Sequence, residues 1–596
     1  MPHRDDIRRI VEETFRLKDS GESKAMFLSQ AIATLVKPGM SLFTSRNCSA
    51  AATELIRQFH GKAPGFTLIT LSTRDYNMLL AVTGLVSKSI TTSASYSYPS
   101  PAPIPLVQEA VRSGKLHVEN WSLLSLQQRL MAGAMGCGFT PTMSLLGSSM
   151  AEENSDSFRV MEDPFGSGRS VGMVKALNPD LALIHGCVAD PFGNTILATP
   201  GEDPYWGPWA SGGVIVTVEK IVSPDFIREH ATQVKIPGYM VKAVCEVPLG
   251  AHPAGLAHHE LRDFESYGAD YDFLVGLRQA SRNQAALDVW LREWVLDVAD
   301  QQGYLQKLGT ERTVFLKGKG RKGAWEHRME PMLEEVDWER PPSPAEAMIA
   351  AASRHIMGLV QEKGYLTALV GVGASGITGW VSHYRLLKEG YPLELILGSG
   401  QLGHSPRPGD PMLTNISNIP AAKMLSDSVS VYAGLVGGET NRCISVLGGA
   451  QVDRFGNINT TKLTTSKGET YLTGTGGAND AINSRESVLV MNQSRNRFVE
   501  QVEYITCPGD RIRTLISPMG VFRKLNGDRD FTLVACLSAC LSGGKGGSME
   551  DRVAAVRANC GWELKVALQL EDISPPTVEE LTIMRALDPE RAFLGD

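Results

Sequence analysis

Short apolar runs without alternation recur along this chain, each followed by a turn of small residues and then a stretch with helical spacing. Residues 34–56, TLVKPGMSLFTSRNCSAAATELI, and residues 359–387, LVQEKGYLTALVGVGASGITGWVSHYRLL, share this plan: helix, Gly turn, apolar strand, small-residue turn, helix. Non-alternating strands belong to sheets covered on both faces. Strand and helix patterns alternate over most of the sequence, which predicts an α/β fold with largely parallel sheets. A second repeat says there are two of them. GCVADPFGNTIL (186–197) and GGAQVDRFGNINT (448–460) both carry Asp-x-Phe-Gly-Asn, so that Asp190 matches Asp453 and Asn194 matches Asn457. In each, an apolar strand runs into a turn whose Gly and Asn supply positive φ.

At 596 residues the chain is too long for one ordinary core. Between the repeats lies KGKGRKGAWEHRMEPMLEEVDWERPPSPA (317–345), Gly/Lys-rich, then acidic, then Pro-rich, with no evident core segment. The division expected is a helical extension over 1–19, an α/β domain over 20–316, a linker over 317–342 and a second α/β domain over 343–596. Ser343 reads as the N-cap of the helix that restarts the second domain, with Pro344 in its first turn.

Hydrophobic residues make up 43% and charged residues 21%, a soluble globular balance. A net charge of −7 offers no basic field for nucleic acid. The charged start lacks the apolar core of a signal peptide, and no run of apolar residues is long enough to span a membrane. Nine scattered cysteines without CxxC spacing suit a reducing cytoplasm. His185, Asp190, His252, His258, His259 and Glu260 fall in or near predicted loops, but none has metal-ligand spacing, so no metal is expected.

The chemistry-bearing motifs cluster in the second half. LELILGSGQLGHSP (393–406) is followed by GGAQVDRFGNINT (448–460) and GTGGAND (474–480). In the first half the Ser45-Arg46-Asn47 turn, PDLALIHGCVADPFGNT (179–195) and IPGYMVKAVCEVPLGAHP (236–253) stand in order. Together these resemble family I CoA-transferases of the glutaconate CoA-transferase type, with the α and β subunits joined in one chain. That resemblance implies two similar CoA-transferase domains and coenzyme A as the substrate thioester. It also implies an enzyme acting on acyl-CoA or carrier-bound acyl groups, with a homodimer as one expected state; the charge, hydropathy and cysteine usage point to the cytoplasm and to no nucleic acid or membrane partner.

In the resembling family a Glu in the Glu-Ser-Gly turn forms a covalent thioester. Here the matching position is Gly398, beside Ser399. Glu394 is four residues back, roughly 13 Å along a strand. His404, reached through Gly400 and Gly403, is the substitute acid/base expected to fold back to the pocket mouth, although a loop histidine is more often a solvated or capping one. Some relatives replace the Glu. A ring-opening hydrolase group places a carboxylate near what is here Ser122 to Leu124, and a decarboxylase group carries Cys at position 398; this chain follows neither.

GVGASG (371–376) sits at a strand end before a helix, where backbone N–H groups hold anions, though tight packing asks for the same glycines. The resemblance assigns Val372 and Gly373 to the thioester oxygen, with Gln451 nearby. It assigns Gly371, Gly376, Gly474, Gly476, Gly477 and Asn479 to coenzyme A; Asn479 could equally cap the next helix. Tyr205, Trp206 and Trp209 in an aromatic loop, with Ser122, are candidates for the acyl pocket. The Tyr/Pro-rich loop SYSYPSPAP (95–103) is expected to border the same cleft. Three functions stay open: thioester chemistry without a glutamyl intermediate (hydrolysis, decarboxylation, C–C cleavage or direct acyl transfer), true CoA transfer by another carboxylate, or non-catalytic acyl-CoA binding.

Overall fold

The structure is a computed structural model describing residues 3–17, 19, 21–200, 205–262, 264–466, 468–525, 527–537 and 547–595. Two large sheets, each covered by helices, form its framework, in agreement with the α/β expectation. The first has nine strands. Its parallel centre is Ser41–Thr44 between Leu181–Ala189 and Phe66–Ile69, continued on one side by Val86–Thr91 and His117–Asn120 and on the other by Val214–Ile221 and Val241–Glu246. All nine residues of Leu181–Ala189 are buried, which is why its sequence does not alternate.

The second sheet has ten strands. Glu394–Leu397, Thr367–Val370, Cys443–Leu447, Glu486–Val490 and Ile512–Ile516 run parallel. Gln401–Leu402 turns back antiparallel against Glu394–Leu397, with Ile396 opposite Leu402 and Leu397 opposite Gln401.

The repeated turns are built alike. Asp190 Oδ1 accepts from the Phe192 and Asn194 amides at 3.0 and 2.9 Å, and Asn194 Nδ2 donates to Oδ2 at 2.7 Å. Asp453 does the same with Phe455 and Asn457, all three bonds at 3.0 Å. Each Asn then accepts from a distant glycine amide, Gly238 at 2.9 Å and Gly509 at 2.8 Å. These side-chain bonds replace ladder bonds that the turn cannot make.

Ser343 caps the helix Pro344–Lys363 in a capping box with Glu346, and Gly364 closes it in the left-handed conformation, φ 66°. Glu346 is fully buried under the Arg585 guanidinium, 2.9 Å away. The segment read as a coreless linker is packed instead. It carries the helix Met329–Glu335, buries Met332, and its Trp338 and Arg340 carbonyls accept from Arg585 at 2.6 and 2.7 Å. Of the apolar residues in this helix only Met332 is buried; Met329 and Leu333 are exposed.

The two sheets are clasped by GTGGAND. The Gly476 amide donates to the Thr92 carbonyl at 2.9 Å and the Leu123 amide to the Gly476 carbonyl at 3.0 Å. Asn479 accepts from the Leu145 amide at 2.7 Å, and buried Asp480 accepts from Ser144 Oγ at 2.6 Å and the Leu124 amide at 2.9 Å. A Cβ on Gly474, φ 98°, would come within 2.5 Å of the Thr92 carbonyl, so the two backbones approach to a distance only glycine permits. Among the described residues no helix is long and apolar enough to cross a membrane.

Candidate active site

A cleft of about 730 Å3 lies between the sheets. The second sheet contributes the carboxyl ends of four parallel strands, through Val370-Gly371-Val372, Leu397-Gly398-Ser399, Leu447-Gly448 and Met491-Asn492. The first contributes Ser72, Arg74, Asp75, Thr92 and Ser93, which follow its strand ends. Strand carboxyl ends are where open α/β sheets bind ligands. The loop 95–103 lines the cleft through Tyr96 and Tyr98. Tyr98 stacks on Tyr271 with centroids 4.1 Å apart.

Gly371, Val372, Gly398, Ser399, Gly474, Gly476 and Gly477 line this cleft together. Gly373 stands at the N-terminus of the helix Ala374–Lys388 with φ 86°. The amides from Val372 to Ser375 have no protein acceptor among the described residues. Val372, Ala374 and Ser375 line the cleft while Gly373, expected there, does not, so the donors at the cleft wall are those of the three lining residues, suited to an oxyanion or thioester oxygen. Gly376 faces inward, where a Cβ would lie 2.6 Å from the Gly371 carbonyl, so it packs the turn without lining the cleft.

Tyr432, on the wide helical turn Ser430–Val436, fills the space beside Gly398: a Cβ at Gly398 or at Gly477 would fall far inside van der Waals contact with the Tyr432 hydroxyl. Tyr432 is 6% exposed and lines the cleft. Its phenol therefore stands where a side chain at position 398 would have projected.

His404 is the main departure. It is fully buried and lines neither the cleft nor the small cavity behind Ser399. The antiparallel strand Gln401–Leu402 leads away from the cleft end, and the Gly403 amide is fixed to the Leu395 carbonyl at 2.8 Å. Neither ring nitrogen makes a well-formed hydrogen bond. Burial, with the neighbouring His383, pushes its pKa down to about 4, slightly offset by the Leu395 carbonyl.

Other expected site residues also lie elsewhere. Tyr205, Trp206 and Trp209 cluster around the short helix Trp206–Ala210, packed under Phe43, and Trp209 Nε1 donates to the Lys235 carbonyl. Ser122 caps the helix Leu123–Ala134 from a fully buried position. Gln451 Nε2 donates to the Asn496 carbonyl, off the cleft. Asn479 is spent on the clasp, accepting from Leu145 and donating to the Thr506 carbonyl at 2.9 Å. His185 and His252 hold Thr217–Glu219 and Tyr304–Asp270 pairs, as structural buried histidines do.

Sequence reasoning missed Tyr432 and Asp75. Asp75 is the sole carboxylate among the described cleft-lining residues, which also include Arg46, Arg74 and Arg497. Its φ of 51° is unusual for a non-glycine residue, and Ser97 Oγ donates to its carboxylate at 3.1 Å. The Ser-Thr-Arg-Asp run after Phe66–Ile69 carried the signal of a strand-end loop; nothing in it marked the backbone strain.

A two-sheet α/β chain whose cleft joins Gly-rich strand-end turns of both halves defines the class. Residues 25–247 match the family model described as Coenzyme A transferase, and the chain belongs to the coenzyme A transferase family. Two subunits of the glutaconate CoA-transferase of Acidaminococcus fermentans are similar to this chain. With the larger match the identity is 30% over 329 residues, covering 50% of this chain and 95% of the relative. With the second polypeptide of that enzyme it is 29% over 173 residues, covering 26% of this chain and 61% of the relative. The acyl-CoA transferase apoenzyme from Escherichia coli O157:H7 shares the fold, with TM-score 0.62 over 96% of this chain and 98% of that one at 15% identity.

Proposed function

We propose that this chain processes acyl-CoA thioesters without a glutamyl-CoA intermediate. On this reading residues 20–316 and 343–596 correspond, in that order, to the α and β subunits of a glutaconate-type enzyme. Position 398 is then that of the family's nucleophilic Glu. The observation that carries it is the pairing of Gly398 with Tyr432: the nucleophile position has no side chain, and a phenol occupies its space. Coenzyme A passes along Gly474, Gly476 and Gly477, and the thioester oxygen lies at the free amides of Val372, Ala374 and Ser375. Those donors stabilise a developing oxyanion without any ionisable side chain. Tyr432 Oη donates toward the thioester oxygen or the departing sulfur, and Ser399 borders the acyl group. Hydrolysis, decarboxylation, C–C cleavage and direct acyl transfer all use this arrangement.

Trapping tests the reading. Incubation with acyl-CoA followed by hydroxylamine or borohydride should yield no modified carboxylate, while Tyr432→Phe should lower turnover by about 10²–10⁴-fold. A trapped glutamyl or aspartyl adduct on the protein would defeat it.

Asp75 favours a second reading, true CoA transfer by a displaced carboxylate. It lines the cleft in a strained backbone conformation. An adduct mapping to Asp75, abolished in Asp75→Asn, would establish this reading over the first.

A further inference from the structure

Beside the cleft opens a second cavity of about 300 Å3, sharing Ala269, Tyr271 and Thr414 with the cleft wall. Its far side is made by the segment that joins the two halves, through Phe315, Lys319, Arg321, Trp325 and Arg328. The cavity therefore combines flat aromatic surface with clustered cations.

The charge balance favours an anion. Lys319, Arg321 and Arg328 face a single carboxylate, Asp410. That carboxylate is already engaged, accepting from Tyr271 Oη at 2.6 Å and the Met412 amide at 2.9 Å. Burial also raises its pKa, which weakens its repulsion of an anion. The Lys319 ammonium is anchored by the Ala269 carbonyl at 2.9 Å and sits 4.3 Å above the Tyr271 ring. Among the described residues neither the Arg321 nor the Arg328 side chain makes a hydrogen bond or ion pair, and both line the cavity. Glu265, the acid near Arg321, is held by Lys317. Arg407 adds a further cation, 5.2 Å from the centroid of Trp325.

A thioester drawn into the main cleft drags a pantetheine arm behind it, and the arm ends in a purine nucleotide with a diphosphate and a 3′-phosphate. We infer that this side cavity holds that nucleotide head, the purine against Trp325 and Phe315 and the phosphates at Arg321 and Arg328. Bases stack on aromatic faces whatever their sequence context, and guanidinium groups pair phosphates through paired N–H donors. The inference rests on the proposed CoA-thioester reading and adds where the head is recognised, on a segment outside both sheets.

Calorimetric titration with CoA, dephospho-CoA and pantetheine, on the wild-type chain and two variants, tests it. In Arg321→Gln/Arg328→Gln the dissociation constant for CoA should rise about tenfold or more, with pantetheine binding unchanged. Trp325→Ala should weaken CoA and dephospho-CoA alike by about tenfold, again sparing pantetheine. Unchanged CoA affinity in both variants overturns the placement and leaves the proposed function standing. Equal losses for CoA and pantetheine also overturn it, because the whole cleft is then disturbed. A wild-type chain that binds none of the three ligands overturns both this inference and the proposed function.

Discussion

The hydroxyl of Tyr432 occupies the volume that any side chain at Gly398 would need, and it touches the same volume at Gly477 from the other side. Gly398, the nucleophile position on the proposed reading, is thus half of a complementary pair. Replacing one member alone does not place a carboxylate in the cleft.

Gly398→Glu should therefore fail to create a working nucleophile. Overpacking against the buried Tyr432 should cost about 1–3 kcal/mol, seen as a lower urea midpoint, with no hydroxylamine-sensitive adduct. Adding Tyr432→Ala should recover most of that stability and open room for the carboxylate. A single variant that unfolds at the wild-type midpoint would show that Tyr432 does not fill the space.

His404→Leu should leave turnover nearly unchanged, since the imidazole lies outside the cleft. Its stability signature is the informative readout. The folded pKa is pushed down to about 4, below the unfolded 6.5 or so. The neutral imidazole thus contributes nothing adverse above pH 6.5, and stability is lost as pH falls from about 6.5 toward 4. Replacing it should flatten that part of the unfolding free energy against pH. A hundredfold loss of turnover would return His404 to the catalytic machinery.

Asp480 predicts the opposite slope. Burial raises its pKa to about 6, against an unfolded value near 3.9, with Ser122, Ser144 and the Leu124 amide opposing. The native state then holds the extra proton between about pH 4 and 6, so stability falls as pH rises through that window. Asp480→Asn keeps an acceptor for Leu124 and should remove the slope, gaining roughly 1–3 kcal/mol at pH 7.5 relative to pH 4.5. Urea titrations at the two pH values would show it; identical slopes in both proteins would contradict the assignment.

Gly474→Ala should weaken the clasp between the halves. The added methyl meets the Thr92 carbonyl and Ser93 Cα at 2.5 and 2.7 Å, at a backbone φ of 98°. A cost of about 2–4 kcal/mol is expected, together with faster proteolysis between the halves. Unaltered melting and digestion would mean that the contact is easily rearranged.

The two-sheet plan was legible because buried parallel strands leave long-lived marks: non-alternating apolar runs, Gly-Asn turns, a Ser-Pro helix start. The strand-end glycines were legible for the same reason, and Gly371, Gly398 and Gly476 do line one cleft. His404 was misread because Gly400 and Gly403 suggested a loop free to fold back, whereas the pairing of Leu397 with Gln401 reverses the chain at once. Strand direction, which no composition records, decided the outcome. Tyr432 had no marker either. It sits in an ordinary-looking helical stretch, and its role depends on two glycines 34 and 45 residues away along the chain meeting around one phenol.

The clasp at residues 474–480 has a kinetic meaning as well as a structural one. Both walls of the cleft, and the loop that holds them, are carried by one polypeptide, so bringing them together is an intramolecular event governed by an effective concentration rather than by how much protein is present. Dilution should not disassemble the cleft, and its specific activity should stay constant at concentrations where two separate chains would drift apart.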